Sequence, residues 1–171
     1  MIEVVRGSLV HQQLDGIVNA ANTLMRGGGG VDGKIHQAAG PEMLRALQRL
    51  APRATEVGQV IVTPGFNLLA QHVFHVAGPI WRGGDSGEAE LLEASYRNVL
   101  LKADEIGCET LGFCSISTGA FRFPLGEAAQ IAISTVTETL GHCKTVSRVL
   151  FVMFGSAEFE AFNEALHDSR P

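Results

Sequence analysis

No run of lysine or arginine in this 171-residue chain reaches three, and the formal net charge is −5. Duplex nucleic-acid binding by counterion release needs a clustered basic stripe, so no duplex partner is expected. A small anion held by backbone N–H groups is not excluded by net charge. Cysteine is scarce and odd in number: Cys108, Cys114 and Cys143 show no CxxC spacing. That argues against a disulfide framework and a zinc site and fits a reducing compartment. No apolar stretch approaches the roughly 18 residues of a membrane span, and MIEVVRGSLV has no basic region ahead of a long apolar run. Neither membrane partner nor secretion is expected, and the cytoplasm is the expected location. No region is starved of apolar residues, so no large disordered tail is expected either.

What is present is a globular balance, 46% hydrophobic and 18% charged, enough to bury about two-thirds of the unfolded surface. The length suits one domain. Residues 1–168 read as that domain, without repeat or linker, and a monomer is expected. Strand-like runs occupy Ile2–Arg6, Gly16–Val18, Val57–Thr63, Val73–Val76, Leu111–Ile116 and Arg148–Phe154. Helical periods fill the gaps. One follows Pro41, at a suitable first position, and a second runs from Glu88 to Ile106. A third opens at Pro124, with Gly141 expected as a left-handed C-terminal cap. The last starts near Ser156 as N-cap and buries Phe159, Phe162 and Leu166. The alternation predicts an α/β fold, helical layers around a mixed sheet.

Twenty glycines are present, and four are consecutive at Gly27–Gly30, ahead of Val31-Asp32-Gly33 and a helical start. Such a loop at a helix N-terminus offers free N–H groups to a phosphate or diphosphate; it reads equally as a flexible surface loop. Gly28 to Lys34 matches the first seven positions of a P-loop. Ile35, however, stands where Ser or Thr must hold Mg²⁺, and NAANTLMR separates the loop from its strand, so the NTPase reading is rejected. Ser115-Ile116-Ser117-Thr118-Gly119-Ala120-Phe121-Arg122-Phe123-Pro124 follows another apolar strand, where ligands sit in open α/β sheets. Of the asparagines in Asn19-Ala20-Ala21-Asn22, Asn19 is expected to cap a turn, and an asparagine amide suits a ribose hydroxyl. Asp32 and His36, four apart, share a helical face. Asp32 fits both activation of a water and a helix-dipole role.

These segments, with Thr63-Pro64-Gly65-Phe66, His75-Val76-Ala77-Gly78-Pro79 and Phe123-Pro124, resemble macro domains over almost the whole chain. The nearest likeness is to the MacroD-type group, which includes bacterial ADP-ribosylglycohydrolases. The resemblance implies a three-layer α/β/α fold with a mixed, roughly six-stranded sheet and a cleft for ADP-ribose. It implies a hydrolase that removes mono-ADP-ribose from aspartate or glutamate esters and deacetylates O-acetyl-ADP-ribose, without metal or cofactor. ADP-ribose and ADP-ribosylated proteins are the implied partners. Asn22 would then hold the distal ribose, and Asp32 would position or activate water. Gly30, Val31 and Gly33 would line one side of the diphosphate, and Ser117, Thr118, Gly119 and Ala120 the other. Ala21 would border the cleft, and Phe121 would lie against the distal ribose. Phe154 would stack on adenine, or else be a core aromatic. His36 has a family counterpart and reads as helix-supporting or catalytic.

Two positions depart from that pattern. Gly7-Ser8-Leu9 stands where an acid usually accepts a hydrogen bond from the adenine amine, so Ser8 and Leu9 form an uncharged contact, weaker by about 1 kcal/mol. Arg122 stands where glycine is common; it fits a phosphate clamp, a solvent-facing residue or a reshaped distal pocket. Asn22, the glycine loop and Asp32 together favour a hydrolase over a non-catalytic ADP-ribose reader. Binding of single-stranded RNA or poly(ADP-ribose) needs a basic track that the acidic balance disfavours.

Overall fold

Short β-branched runs alternate with helical periods, and the sheet they build has the strand order β1-β6-β5-β2-β4-β3. The computed structural model describes every residue from Met1 to Pro171. The strands are β1 (Ile2–Arg6), β2 (Gly16–Ala21), β3 (Val60–Pro64), β4 (His72–Ala77), β5 (Thr110–Phe113) and β6 (Arg148–Met153). The helices are α1 (Gly30–Ala39), α2 (Glu42–Leu50), α3 (Glu88–Glu105), α4 (Leu125–Leu140) and α5 (Ser156–Asp168). All neighbours pair in parallel except β3 on β4. Antiparallel β3, at one edge, has mostly half-buried residues, whereas β2, β4 and β6 are almost wholly buried, as strands covered on both faces must be. No helix is long and apolar enough to cross a membrane.

Strand alternation divides the core. Val18, Phe74, Phe113 and Phe151 share one face by register. There Phe113 and Phe151 stack at 5.5 Å, with Tyr96 of α3 and Phe162 of α5 tilted against them. Helices α3, α4 and α5 pack side by side over this face, while α1 and α2 cover the other through β2 and β3. The result is the expected three-layer α/β/α arrangement with a mixed six-stranded sheet.

Several element ends differ from the sequence reading. Strand β2 continues through Ala21, so Asn19 lies mid-strand and does not cap a turn. Strand β3 begins at Val60, three residues later than read. Strand β5 stops at Phe113 because the buried Tyr96 hydroxyl takes over the backbone beyond it. That hydroxyl accepts from Ile116 N (3.0 Å) and donates to Cys114 O (3.5 Å). Gly141 has φ −61°, a right-handed value. Helix α4 instead tightens at its end, His142 N and Cys143 N donating to carbonyls three residues back. Ser156 is the first residue of α5, and Gly155 holds the N-cap position.

Candidate functional site

The parallel strands all deliver their carboxyl ends to one side, and the loops leaving them surround a cavity of about 540 Å³. Its walls come from Gly7–Val10 after β1, Ala20–Asn22 at the end of β2, Gly78 after β4, Cys114, Ser115 and Ser117–Phe121 after β5 and Val152–Phe154 at the end of β6. Gly28–Asp32 at the start of α1 closes the remaining side. A crevice beyond the carboxyl ends of parallel strands is where α/β sheets bind ligands.

Two sets of backbone donors face each other there. Gly30, Val31 and Asp32 open α1, so their N–H groups have no intrahelical partner. In the opposing loop, Thr118, Gly119, Ala120 and Phe121 donate to no other backbone carbonyl. Bonds behind that loop hold its shape, with Phe123 N on Ser117 O (2.9 Å) and Trp81 N on Phe121 O (2.8 Å). Ser117 takes a left-handed φ of 67°, and its buried Oγ has no hydrogen-bond partner. Gly78 is needed beneath it, because a Cβ there would lie 2.2 Å from Ser117 Oγ. Cys114 borders the cavity, but burial pushes its thiol up to about 12. It stays protonated and donates to Val18 O, which removes it as a nucleophile.

The floor is polar and nearly sealed. Asp32 is only 5% exposed. Its Oδ1 accepts from Asn19 Nδ2 at 2.8 Å and lies 3.3 Å from His36 Nε2. Its other oxygen turns toward the glycine loop, 3.3 Å from where a Cβ on Gly28 would stand. Asn19, 0% exposed, holds Asp32. Asn22 staples the glycine loop: its Oδ1 accepts from Leu24 N and Met25 N, and its Nδ2 donates to Gly27 O (3.2 Å). Asn22 also borders the cavity, and its amide keeps one hydrogen to offer.

Behind Asn19 lies a side chain that the sequence reading did not single out. His75 is 0% exposed; its Nδ1 is 3.1 Å from Asn19 Nδ2 and its Nε2 2.9 Å from Thr63 Oγ1. Burial pushes its pKa down to about 3, with nearby His36 adding to the depression and Asp32 opposing it. Between about pH 6.5 and that value the unfolded chain takes up a proton that the folded chain refuses, so acidification destabilises the fold. From this group the loss is about 1.4 kcal/mol per pH unit below about 6.5. Urea unfolding at pH 7.5 and 5.5 is expected to show a smaller acid loss in His75→Asn than in wild type; equal losses would contradict this.

At the far end of the cleft, Phe154 is 71% exposed, which overturns its reading as a core aromatic. The Lys34 ammonium lies 3.5 Å from its ring centroid, and Ser8 and Glu158 border the same space.

A macro domain family model matches residues 18–132. The chain belongs to the macro domain family. It is 42% identical over 155 residues to an O-acetyl-ADP-ribose deacetylase of Salmonella newport, covering 90% of this chain and 87% of the relative. An Oceanobacillus iheyensis macrodomain solved with ADP superposes with a TM-score of 0.92 at 37% identity, over 98% of this chain and 90% of that one. A Trypanosoma brucei macrodomain in complex with ADP-ribose superposes with a TM-score of 0.89 at 35% identity, over 96% and 68%.

In this macro domain, Ser8, Leu9, Ala21, Asn22, Gly30, Val31 and Asp32 all border the cleft, as do Ser117 to Phe121 and Phe154. Gly33 does not. Its N–H is used by Gly29 O, and a Cβ on it would stand 2.6 Å from Gly28 O, so it lets α1 close against the glycine loop. Arg122 is exposed and lies outside the cleft lining, which leaves the solvent-facing alternative. Its φ of 62° explains why glycine suits this position. Arg122→Gly is expected to raise stability by about 1 kcal/mol, seen as a rise of roughly 2–4 °C in Tm for a chain of this size. An unchanged or lower Tm would mean that the arginine makes a compensating contact.

Proposed function

We propose that this macro domain binds ADP-ribose and hydrolyses its carboxylate esters, releasing mono-ADP-ribose from Asp and Glu side chains of proteins and acetate from O-acetyl-ADP-ribose. The observation that carries this reading is the placement of the Asp32 carboxylate, almost sealed from solvent, on the floor between two facing sets of free backbone N–H groups. The deacetylase relative and the ligands of the two structural neighbours support it.

Both substrates present one functional group, an ester between a carboxylic acid and a ribose hydroxyl. The diphosphate lies between the N–H groups of Gly30 and Val31 and those of Thr118, Gly119 and Ala120. Asn22 and Phe121 meet the distal ribose. Adenine stacks on Phe154, with Ser8 and Leu9 at its edge. In the acetyl ester, Asp32 accepts a proton as a water oxygen bonds to the acyl carbon. The acyl–oxygen bond then breaks, and the ribose oxygen takes a proton to leave as a hydroxyl. The step as written uses water and a carboxylate and calls on neither metal nor cofactor. The domain acts as a cytoplasmic monomer on ADP-ribosylated proteins.

The test is release of ADP-ribose from a glutamate-modified protein, followed alongside calorimetry with free ADP-ribose. Turnover by wild type is expected. Phe154→Ala should weaken ADP-ribose binding by roughly 5- to 150-fold, the worth of one stacked base. Binding without release of either ester product would make the domain a reader.

A further inference from the structure

The row of buried side chains behind Asp32 has a direction, set by which atoms can donate. Asn19 and His75 are register partners across β2 and β4, and Ile61 of β3 is the register partner of His75 on the other side. Thr63, two residues beyond Ile61, therefore shares the sheet face that α1 covers. Asn19 Nδ2 carries two hydrogens: one goes to Asp32 Oδ1 at 2.8 Å and the other to His75 Nδ1 at 3.1 Å. An imidazole nitrogen that accepts is unprotonated, so the ring proton sits on Nε2 and donates to Thr63 Oγ1 at 2.9 Å. With both hydrogens committed, the Asn19 amide cannot turn over. Its Oδ1 is left buried without any partner. An orphaned buried acceptor is uncommon and costly, and here it follows from presenting the NH₂ group to two acceptors at once.

We propose that His75 is a positioning residue: through Asn19, and with its Nε2–H held by Thr63, it fixes the Asp32 carboxylate to take a proton from the water that attacks the ester. The inference rests on the reading of Asp32 given above. The groups facing His75 are Asn19 from β2, Thr63 from β3, and Asp32 and His36 from α1, the His36 ring centroid lying 6.4 Å away. A doubly protonated His75 would oppose a donor with a donor. Asn19 would then lose its second acceptor and with it the orientation that serves Asp32.

Two substitutions separate positioning from packing. His75→Leu removes the acceptor. His75→Asn places a carboxamide oxygen near the position of Nδ1, where it still accepts from Asn19. Hydrolysis by His75→Leu is expected to lose about 10- to 100-fold in kcat, the scale of a small misplacement of a catalytic group. KM and ADP-ribose affinity should hold within about twofold, and His75→Asn should recover most of the rate. Equal losses in the two variants, or a loss in KM with kcat intact, would overturn the proposal. A measurement on wild-type protein covers the case in which a variant fails to fold. Imidazole ¹⁵N signals of His75 should show an unprotonated Nδ1 and a protonated Nε2, unchanged from pH 8 to 5; the other tautomer, or titration in that range, overturns it. Asp32→Asn keeps these failures distinct. Full activity in that variant sinks the catalytic reading, whereas the nitrogen signals decide the hydrogen-bonded row on their own.

Discussion

Asp32→Asn is expected to lower the rate of ester hydrolysis by about 10²- to 10⁴-fold, the usual contribution of a positioned general base. Affinity for ADP-ribose should stay within about threefold, less than 1 kcal/mol. The separation follows from what each atom does. An asparagine oxygen in place of Asp32 Oδ1 still accepts from Asn19 Nδ2, so the floor of the cleft keeps its shape. The backbone N–H groups proposed to hold the diphosphate belong to α1 and to the loop after β5, which border the cleft, and the substitution leaves them in place. What is lost is the capacity to take a proton from water. Asp32→Ala is a harsher change, since it leaves Asn19 and His36 facing a gap and costs stability of about 1–3 kcal/mol as well. Single-turnover release of ADP-ribose and calorimetry on both variants check this. A wild-type rate in Asp32→Asn would remove the carboxylate from the chemistry.

The second large effect is at Gly33, where two arguments oppose each other. Helix propensity predicts that Gly→Ala inside α1 stabilises by about 1 kcal/mol. The contact predicts the reverse, because the new Cβ would stand 2.6 Å from the carbonyl oxygen of Gly28, and backbone cannot swing aside as a side chain can. Overpacking of this kind costs about 1–3 kcal/mol, and relief requires the glycine loop to move away from the helix it caps. The contact wins. Gly33→Ala should lower stability by about 1 kcal/mol and weaken ADP-ribose binding by about tenfold or more. Gly126, also helical but with nothing near a built Cβ, is the control: Gly126→Ala should be neutral or stabilising. Thermal unfolding and calorimetry on the pair decide the matter, and similar behaviour of the two variants would contradict it.

The layers, the sheet and both cleft loops were legible because each rests on a local signal: alternation, helical period, or glycine ahead of a helix. The floor of the cleft was less so. Asn19 reads as a turn residue if β2 stops at Val18; three more strand residues place it mid-strand beside His75. That pairing joins strands more than fifty residues apart in sequence, so the neighbours of Asn19 along the chain do not reveal it. His75 and Thr63 sat inside recognised landmarks, yet their chemistry appears only when β3 and β4 lie side by side. Gly33 read as a ligand contact because flexible loops and close-packed helix starts both use glycine. The left-handed backbone at Arg122 had one signal, the glycine common at that position, but arginine itself rarely adopts such a backbone and masked it. Phe154 was ambiguous because strand ends carry both core and ligand-facing aromatics, and only its exposure separates the two.

The central claim is that this cleft breaks a ribose ester as well as holding ADP-ribose. The measurement that tests it most directly is hydrolysis of O-acetyl-ADP-ribose in ¹⁸O-water, with the released acetate analysed by mass. Acetate carrying one ¹⁸O atom, formed in proportion to wild-type enzyme and lost with Asp32→Asn, is the predicted result. Intact O-acetyl-ADP-ribose recovered from a saturated complex would contradict it and make the cleft a binding site alone.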